Sequence, residues 1–243
     1  MICTLSLVRY PKYFAFAGFL SMAVFRFFLF MNKKIAFWKL MGCGKNGTFD
    51  KTPDWQQWSI LLVPSNATQE KLKTEVNYDQ TTQQLMPAFI HFWHRLFRAE
   101  VLTMVLQSIE GHGTWDNQEP FGKLAKQTDY DGIICVLTRA TIRLNKLQQF
   151  WKNVDAVAHQ MAGADGFITS VGIGEVPFIK QATFSVWKSK TQMKQFAYKM
   201  QEHATVIKKT RKENWYSEEM FVRFIPLFAT GTLNGIQPLA GKL

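Results

Sequence analysis

The feature that most restricts this chain is an internal repeat. Leu7 and Arg9 return as Leu137 and Arg139, 130 residues later, and Phe37, Gly42 and Gly44 return as Phe167, Gly172 and Gly174 at the same offset. Further on, Gly113, Thr114 and Pro120 match Gly231, Thr232 and Pro238 at an offset of 118, so the second copy has lost residues in between. Agreement across separated segments means that one supersecondary unit occurs twice, and it decides the fold before any single element does.

The unit itself follows from local patterning. Residues 2–10, ICTLSLVRY, form a strand-like run, and Lys12 to Asn32 a very apolar helix. Ile35 to Gly44 and Trp58 to Val63 alternate as strands, a polar helix covers about 68–84, and Leu102 to Ile109 closes the unit as a strand. The order β-α-β-β-α-β is the ferredoxin-like arrangement, with helices on one face of an antiparallel sheet. A chain of 243 residues accommodates two such halves, 1–124 and 125–243. The predicted fold class is therefore α+β: two ferredoxin-like halves whose sheets close into a dimeric α+β barrel within one chain. The G-x-G pairs at Gly42–Gly44 and Gly172–Gly174 connect strand to strand and read as tight turns or bulges. No G-x-G-x-x-G opens a helix, which excludes a dinucleotide-binding fold.

Charge and hydropathy narrow the partners. The net charge is +11, from 29 Lys+Arg against 18 Asp+Glu, which favours anionic partners, but no run of five basic residues occurs and nucleic acid is not expected. The Lys12–Asn32 helix is near the lower length limit for a membrane span, yet Arg26 interrupts it and a strand follows at once. It is expected to lie on the sheet and, with Lys33 and Lys34 at its end, to touch a membrane surface peripherally. Cys3, Cys43 and Cys135 are too few and too scattered for a disulfide framework or a zinc site, and read as buried thiols. The N-terminus shows no charged start or small-residue cleavage site, so the expected location is cytoplasmic, peripheral at the inner membrane surface.

Two constellations carry chemistry. From Ser189 to Trp215, Met193, Phe196, Ala197, Met200, Ala204 and Ile207 lay one apolar stripe along a helix, and His203 sits on it. Ser189 and Thr191 are N-cap candidates. A histidine on such a stripe is either a satisfied core residue or a metal or haem ligand. In LTRATIR, Arg139 and Arg143 project from one strand face with Thr141, and they demand anions: protein carboxylates such as Glu175 or Glu218, or the carboxylates of a bound ligand. His91 and His94 in HFWH have metal-compatible spacing but lack further ligands, and no G-x-S-x-G elbow supports a nucleophilic triad.

Several longer blocks resemble one family. FWKLMGCG and DWQQWSILLV within 37–63, WDNQEPF at 115–121, LTRATIR with QFWK within 137–152, GIGEVPFIKQATFSVW at 172–187, and NWYSEEMFVRF and GTLNGIQPL near the end are similar to the spheroidene monooxygenases of carotenoid biosynthesis, in the same order. The resemblance implies an oxygen-using enzyme with haem b that oxidises the end of an acyclic carotenoid to a ketone, with electrons from a ferredoxin-type donor. It implies His203 as the iron ligand. Arg139, Thr141, Glu175, Gln181, Thr183 and Trp187 match motif positions. We assign Arg139 as the catalytic candidate and Arg139, Arg143, Thr183 and Trp187, with His203, as the cofactor-binding set. The Lys12–Asn32 helix departs from the family by being more apolar. Two alternatives stand beside this reading: a haem enzyme of related architecture with a dehydratase or peroxide-using reaction, and a non-enzymatic haem or lipid carrier.

Overall fold

A computed structural model describes residues 1–45, 47, 52–74, 77–199 and 213–243, and their side chains except at 73–74, 81, 153–160 and 198–199. The first half runs β1 (Ile2–Arg9), a 3-10 turn at Lys12–Phe14, α1 (Ala15–Met31), β2 (Ile35–Gly44), β3 (Pro53–Pro64), α2 (Asn66–Thr74), α3 (Tyr78–Leu85), α4 (Ala88–Leu96) and β4 (Glu100–Gly113). The second runs β5 (Ile134–Ile142), α5 (Leu147–Ala162), β6 (Phe167–Val176), β7 (Lys180–Trp187), α6 (Lys190–Lys199) and β8 (Tyr216–Gly231).

All eight strands pair antiparallel in a closed barrel of order β1-β3-β2-β6-β7-β5-β8-β4. Within it each half keeps the ferredoxin-like order, β4-β1-β3-β2 and β8-β5-β7-β6, and the halves join at two seams. At one seam Gly42 faces Gly174. At the other, Leu102 faces Gly231 and Met220 faces Gly113, and these two pairs are related by the 118-residue offset. Both glycines of this second seam are obligatory. Gly113 and Gly231 have φ of +88° and +78°, and a Cβ would lie 2.1 Å from the Glu219 carbonyl oxygen and 1.9 Å from that of Val101. The repeat is thus conspicuous at these glycines because the closure itself depends on them.

Alternation sends Leu5, Leu7, Leu61, Leu137, Phe184 and Val222 into one apolar cluster that occupies the barrel interior. The opposite strand faces carry the helices. On the first half α1 packs against β2 and β3 through Ala17, Gly18, Ser21, Phe25 and Leu29. The polar helix expected over 68–84 is instead α2 and α3, followed by α4, which the periodicity did not separate. Asn77 caps α3 by accepting from the Gln80 N–H, and Met86 turns extended before Pro87, which starts the next helix. β3 also begins at Pro53, before the alternating apolar run.

Candidate functional site

One end of the barrel interior holds charge rather than hydrocarbon. Arg139 follows Cys135 and Leu137 on the inward face of β5 and is 1% exposed. Its guanidinium donates to Glu218 at the start of β8 and lies 3.5 Å from Glu175 on β6 and 3.6 Å from Asp116 in the loop after β4. Lys39 on β2 donates to Asp116 and, at 2.8 Å, to Glu175, while Lys180 on β7 reaches Asp116 at 2.6 Å. Trp115 is fully buried over this cluster, its Nε1 donating to Glu175 at 2.7 Å and its ring 5.5 Å from the Arg139 guanidinium carbon. Three cations meet three carboxylates, which offsets the cost of burying charge, while Arg139 Nε and Nη2 have no hydrogen-bond partner among the described residues.

Asp116 and Glu218 titrate accordingly. Burial pushes Asp116 up, but Lys180 and Lys39 outweigh it and hold the carboxyl at about 2. Glu218 is likewise raised by burial, then brought below the usual range by the Asn117 N–H, the Arg139 guanidinium and the Thr114 hydroxyl. A recess of about 390 Å³, lined by Arg26, Phe37, Lys39, Asp116, Gln118 and Glu175, opens onto the cluster.

Of the two anion sources that the sequence left open for Arg139, the structure gives protein carboxylates. Arg143 does not share its face. β5 ends at Ile142, where the pairing with β8 shifts from Thr141–Glu218 to Ile142–Tyr216, and Arg143 is exposed just beyond the strand. Thr141 keeps the inward direction, with a buried Oγ1 that has no hydrogen-bond partner among the described residues. Glu218 was named only as a possible partner. Its role was findable, because Glu100 stands 118 residues earlier and does the same work: Glu218 accepts from Thr114 Oγ1 and Asn117 N, and Glu100 from Thr232 Oγ1 and Asn234 N.

Thr183 and Trp187 lie on the other face of the second-half sheet, since Ala182, Phe184 and Val186 of β7 point inward. There Trp187 packs with Ile134, Val136, Met161, Met193 and Phe196 beneath α5 and α6, and Thr183 presents a buried Oγ1 without a described partner. The start of α6 is fixed as predicted by Ser189, whose Oγ accepts from the Gln192 N–H at 3.1 Å, and Thr191 is held by Asp131. A buried triad of Glu110 with Arg223 and Lys190 pins α6 to β4 and β8. His203 lies outside the described residues, as does the rest of the stripe beyond α6.

In the first half a recess of about 770 Å³ is lined by His91 and His94 among others. Burial, and secondarily His91, lowers the His94 pKa to about 3, so its imidazole is neutral, and its Nε2 has no described partner. Among the described residues no group of three or more His, Cys, Asp or Glu side chains is placed to hold a metal ion.

No family model matches the chain. It is 34% identical over 211 residues to the spheroidene monooxygenase of Cereibacter sphaeroides, covering 86% of this chain and 61% of that protein. It is 30% identical over 211 residues to the spheroidene monooxygenase of Rhodobacter capsulatus, covering 86% of this chain and 83% of that protein. The chain belongs to the spheroidene monooxygenase family. A third member, from Rubrivivax gelatinosus, is 30% identical over 200 residues. The architecture of this family member also resembles an aldoxime dehydratase crystallised with butyraldoxime, with a TM-score of 0.56 over 93% of this chain and 79% of the other at 6% identity, a likeness of fold alone.

Whether a haem suits this family member can be tested on the two faces of its second-half sheet. On the inward face the charges around Arg139 balance in number, but Arg139 Nε and Nη2 and Thr141 Oγ1 are buried without hydrogen-bond partners among the described residues, so donors remain there that suit a carboxylate such as a propionate. The outward face adds an aromatic and aliphatic cluster with one unpartnered buried hydroxyl, Thr183, an apolar lining of the kind that suits the rings of a flat macrocycle.

Proposed function

We propose that the protein is a haem-dependent monooxygenase that oxidises the end of an acyclic carotenoid, or a similarly long apolar substrate, to a ketone with O2 and reducing equivalents. The observation that carries this reading is membership of the spheroidene monooxygenase family over more than four-fifths of the chain. When bound, haem b supplies the oxygen activation that no side chain provides. His203 would be the residue that holds the haem iron, by the resemblance of its segment. Trp187, Phe196 and Met193 give an apolar wall that excludes water, and Thr183 Oγ1 retains hydrogen-bonding capacity toward whatever enters. Arg139 acts at a remove, in this reading, by fixing β5, β6 and β8 against one another beneath that wall. A ferredoxin-type donor, acidic in character, suits the net charge of +11.

The test is spectroscopic and then isotopic. The purified protein is expected to show a Soret band and to incorporate one atom of isotopically labelled dioxygen into the product carbonyl only with reductant present. His203→Ala should lose haem or change its ligand-field spectrum. Turnover without oxygen and reductant would move the reaction to the dehydratase or peroxide-using class, and a colourless preparation that cannot be reconstituted with haem would refute the cofactor.

A further inference from the structure

The surface of the first half presents a second feature with no part in that chemistry. Lys12–Met31 is long and apolar enough to cross a membrane, with a mean hydropathy of 1.9, yet only 28% of that window is buried. The buried share is one narrow stripe. Gly18 brings the helix so close that a Cβ would lie 2.2 Å from Trp58 Nε1, and Phe25 and Leu29 continue the contact toward Asn32. The helix is therefore tied along its length to the barrel and lies flat on it. Its other side is bare: Phe16, Phe19, Leu20, Phe27 and Phe30 are exposed, Phe30 by 81%.

α4 widens the same surface. Phe28 stacks on Phe89 at 4.0 Å and Phe14 meets Phe97 edge-on at 5.4 Å, so the two helices lie side by side, and Phe92 and Leu96 add exposed apolar area. Contiguous apolar surface of this extent marks an interaction site rather than chance exposure. The charges that these two segments themselves carry have one sign, although Asp116 and Glu175 share a recess with Arg26, and Asp79 one with Lys34. No Asp or Glu occurs in residues 1–49 or in 80–99, whereas Lys12, Arg26, Lys33, Lys34, Arg95 and Arg98 stand exposed on these segments.

We propose that this face is a membrane-docking surface, which seats α1 and the adjoining side of α4 in the headgroup layer of a bilayer containing anionic lipid, with α1 parallel to the membrane plane. An aromatic face flanked by cations, on a helix that cannot leave its sheet, is the composition of an interfacial element. The charge selects the occupant. A second copy of the chain docking through the same face would bring its cations against those of the first, with no acid on α1 or α4 to pair them. Anionic headgroups pair every one. This inference stands on the surface alone and is independent of the cofactor.

Co-sedimentation of the full chain with vesicles of phosphatidylcholine, with and without phosphatidylglycerol, tests it. Binding is expected to the anionic vesicles, with Lys33→Gln/Lys34→Gln weakening it by about fivefold per charge at low salt. Phe27→Ser/Phe30→Ser should lower partitioning by roughly tenfold at any salt, the apolar part being insensitive to screening. Both changes are at exposed positions, so thermal melts should match the parent, and Phe30→Ser alone serves if the pair does not fold. Leu144→Ser, an exposed apolar change on the second half, should bind as the parent does. Failure to bind either vesicle, dimerisation in sedimentation velocity that Phe27→Ser/Phe30→Ser abolishes, or resistance to alkaline carbonate extraction would each overturn the proposal, the last by showing a spanning helix.

Discussion

Replacing Arg139 with leucine tests the reading of the charged cluster directly. The side chain is almost wholly buried and its guanidinium serves Glu218, with Glu175 and Asp116 beyond. Removing one member of a buried ion pair costs about 3–5 kcal/mol, because the other charge is left in a poor solvent. Here each carboxylate keeps another donor: Thr114 and Asn117 for Glu218, Lys39 and Trp115 for Glu175, Lys39 and Lys180 for Asp116. That places the cost near the lower end, about 3 kcal/mol, or a fall of roughly 1 M in the urea midpoint at a slope of about 3 kcal/mol per M. The sign of the pH dependence follows from Glu218. Its folded pKa is depressed, so it contributes stability above the unfolded carboxylate value and loses it as pH falls. Without Arg139 that depression shrinks, so the deficit is largest near neutral pH and narrows in acid. Glu218→Leu added to Arg139→Leu should recover at least about 1 kcal/mol by removing the stranded charge. An unchanged midpoint at neutral pH, together with lost turnover in the folded variant, would refute this reasoning and put Arg139 on the substrate.

Three further outcomes follow from buried groups elsewhere. Burial raises the Glu110 carboxyl, but Lys190, Thr128 and Arg223 bring it from 4.5 to about 2, so Glu110→Gln should cost about 3 kcal/mol at neutral pH and remove the stability that the parent loses between those two values in acid unfolding. Gly231→Ala must place a Cβ against the Val101 carbonyl and should lower the melting temperature well beyond Gly235→Ala, where φ is also positive but nothing lies within 4 Å; equal melts would show that the seam yields. Burial pushes the Cys3 and Cys43 thiols up to about 12 and raises Cys135 as well, so none of the three should react with a thiol reagent at mildly alkaline pH until the protein unfolds.

The duplicated unit was legible because its constraints are local and severe. Two left-handed glycines at the β4–β8 seam, Gly113 and Gly231, leave an unmistakable trace, and β2 was bounded correctly because alternation and the G-x-G turn both end it. What escaped was set by tertiary contacts. The spacing of Arg139 and Arg143 promised a shared face, but the strand ends between them at a shifted register, which no two-residue period announces. HFWH drew attention as a metal spacing and was in fact half of an amphipathic helix, α4, whose start is written in Met86–Pro87. The loop that carries Trp115 and Asp116 over the barrel end has no periodicity; WDNQEPF stood out as a resembling block, but its place over the charged cluster shows only in the burial of its tryptophan.

A duplicated barrel invites the expectation that its two halves do the same thing, and the differences between equivalent residues argue otherwise. Arg9 and Arg139 occupy matching positions, yet Arg9 pairs with Asp54 at the rim, with 26% of its side chain exposed, whereas Arg139 is sealed beneath Trp115. Leu233, which matches Trp115, is only partly buried against the interior cluster. The outer layers diverge as well. Over the first-half sheet, α1 is anchored by a glycine and turns aromatic residues to solvent, while the second-half sheet buries Trp187 and Thr183 beneath its helices. An apolar cluster occupies the interior that the halves share, so in the proposed reading a long apolar substrate is received on an outer face. In that reading one half meets a surface and the other encloses a ligand, and a single closed sheet holds the two at a fixed separation.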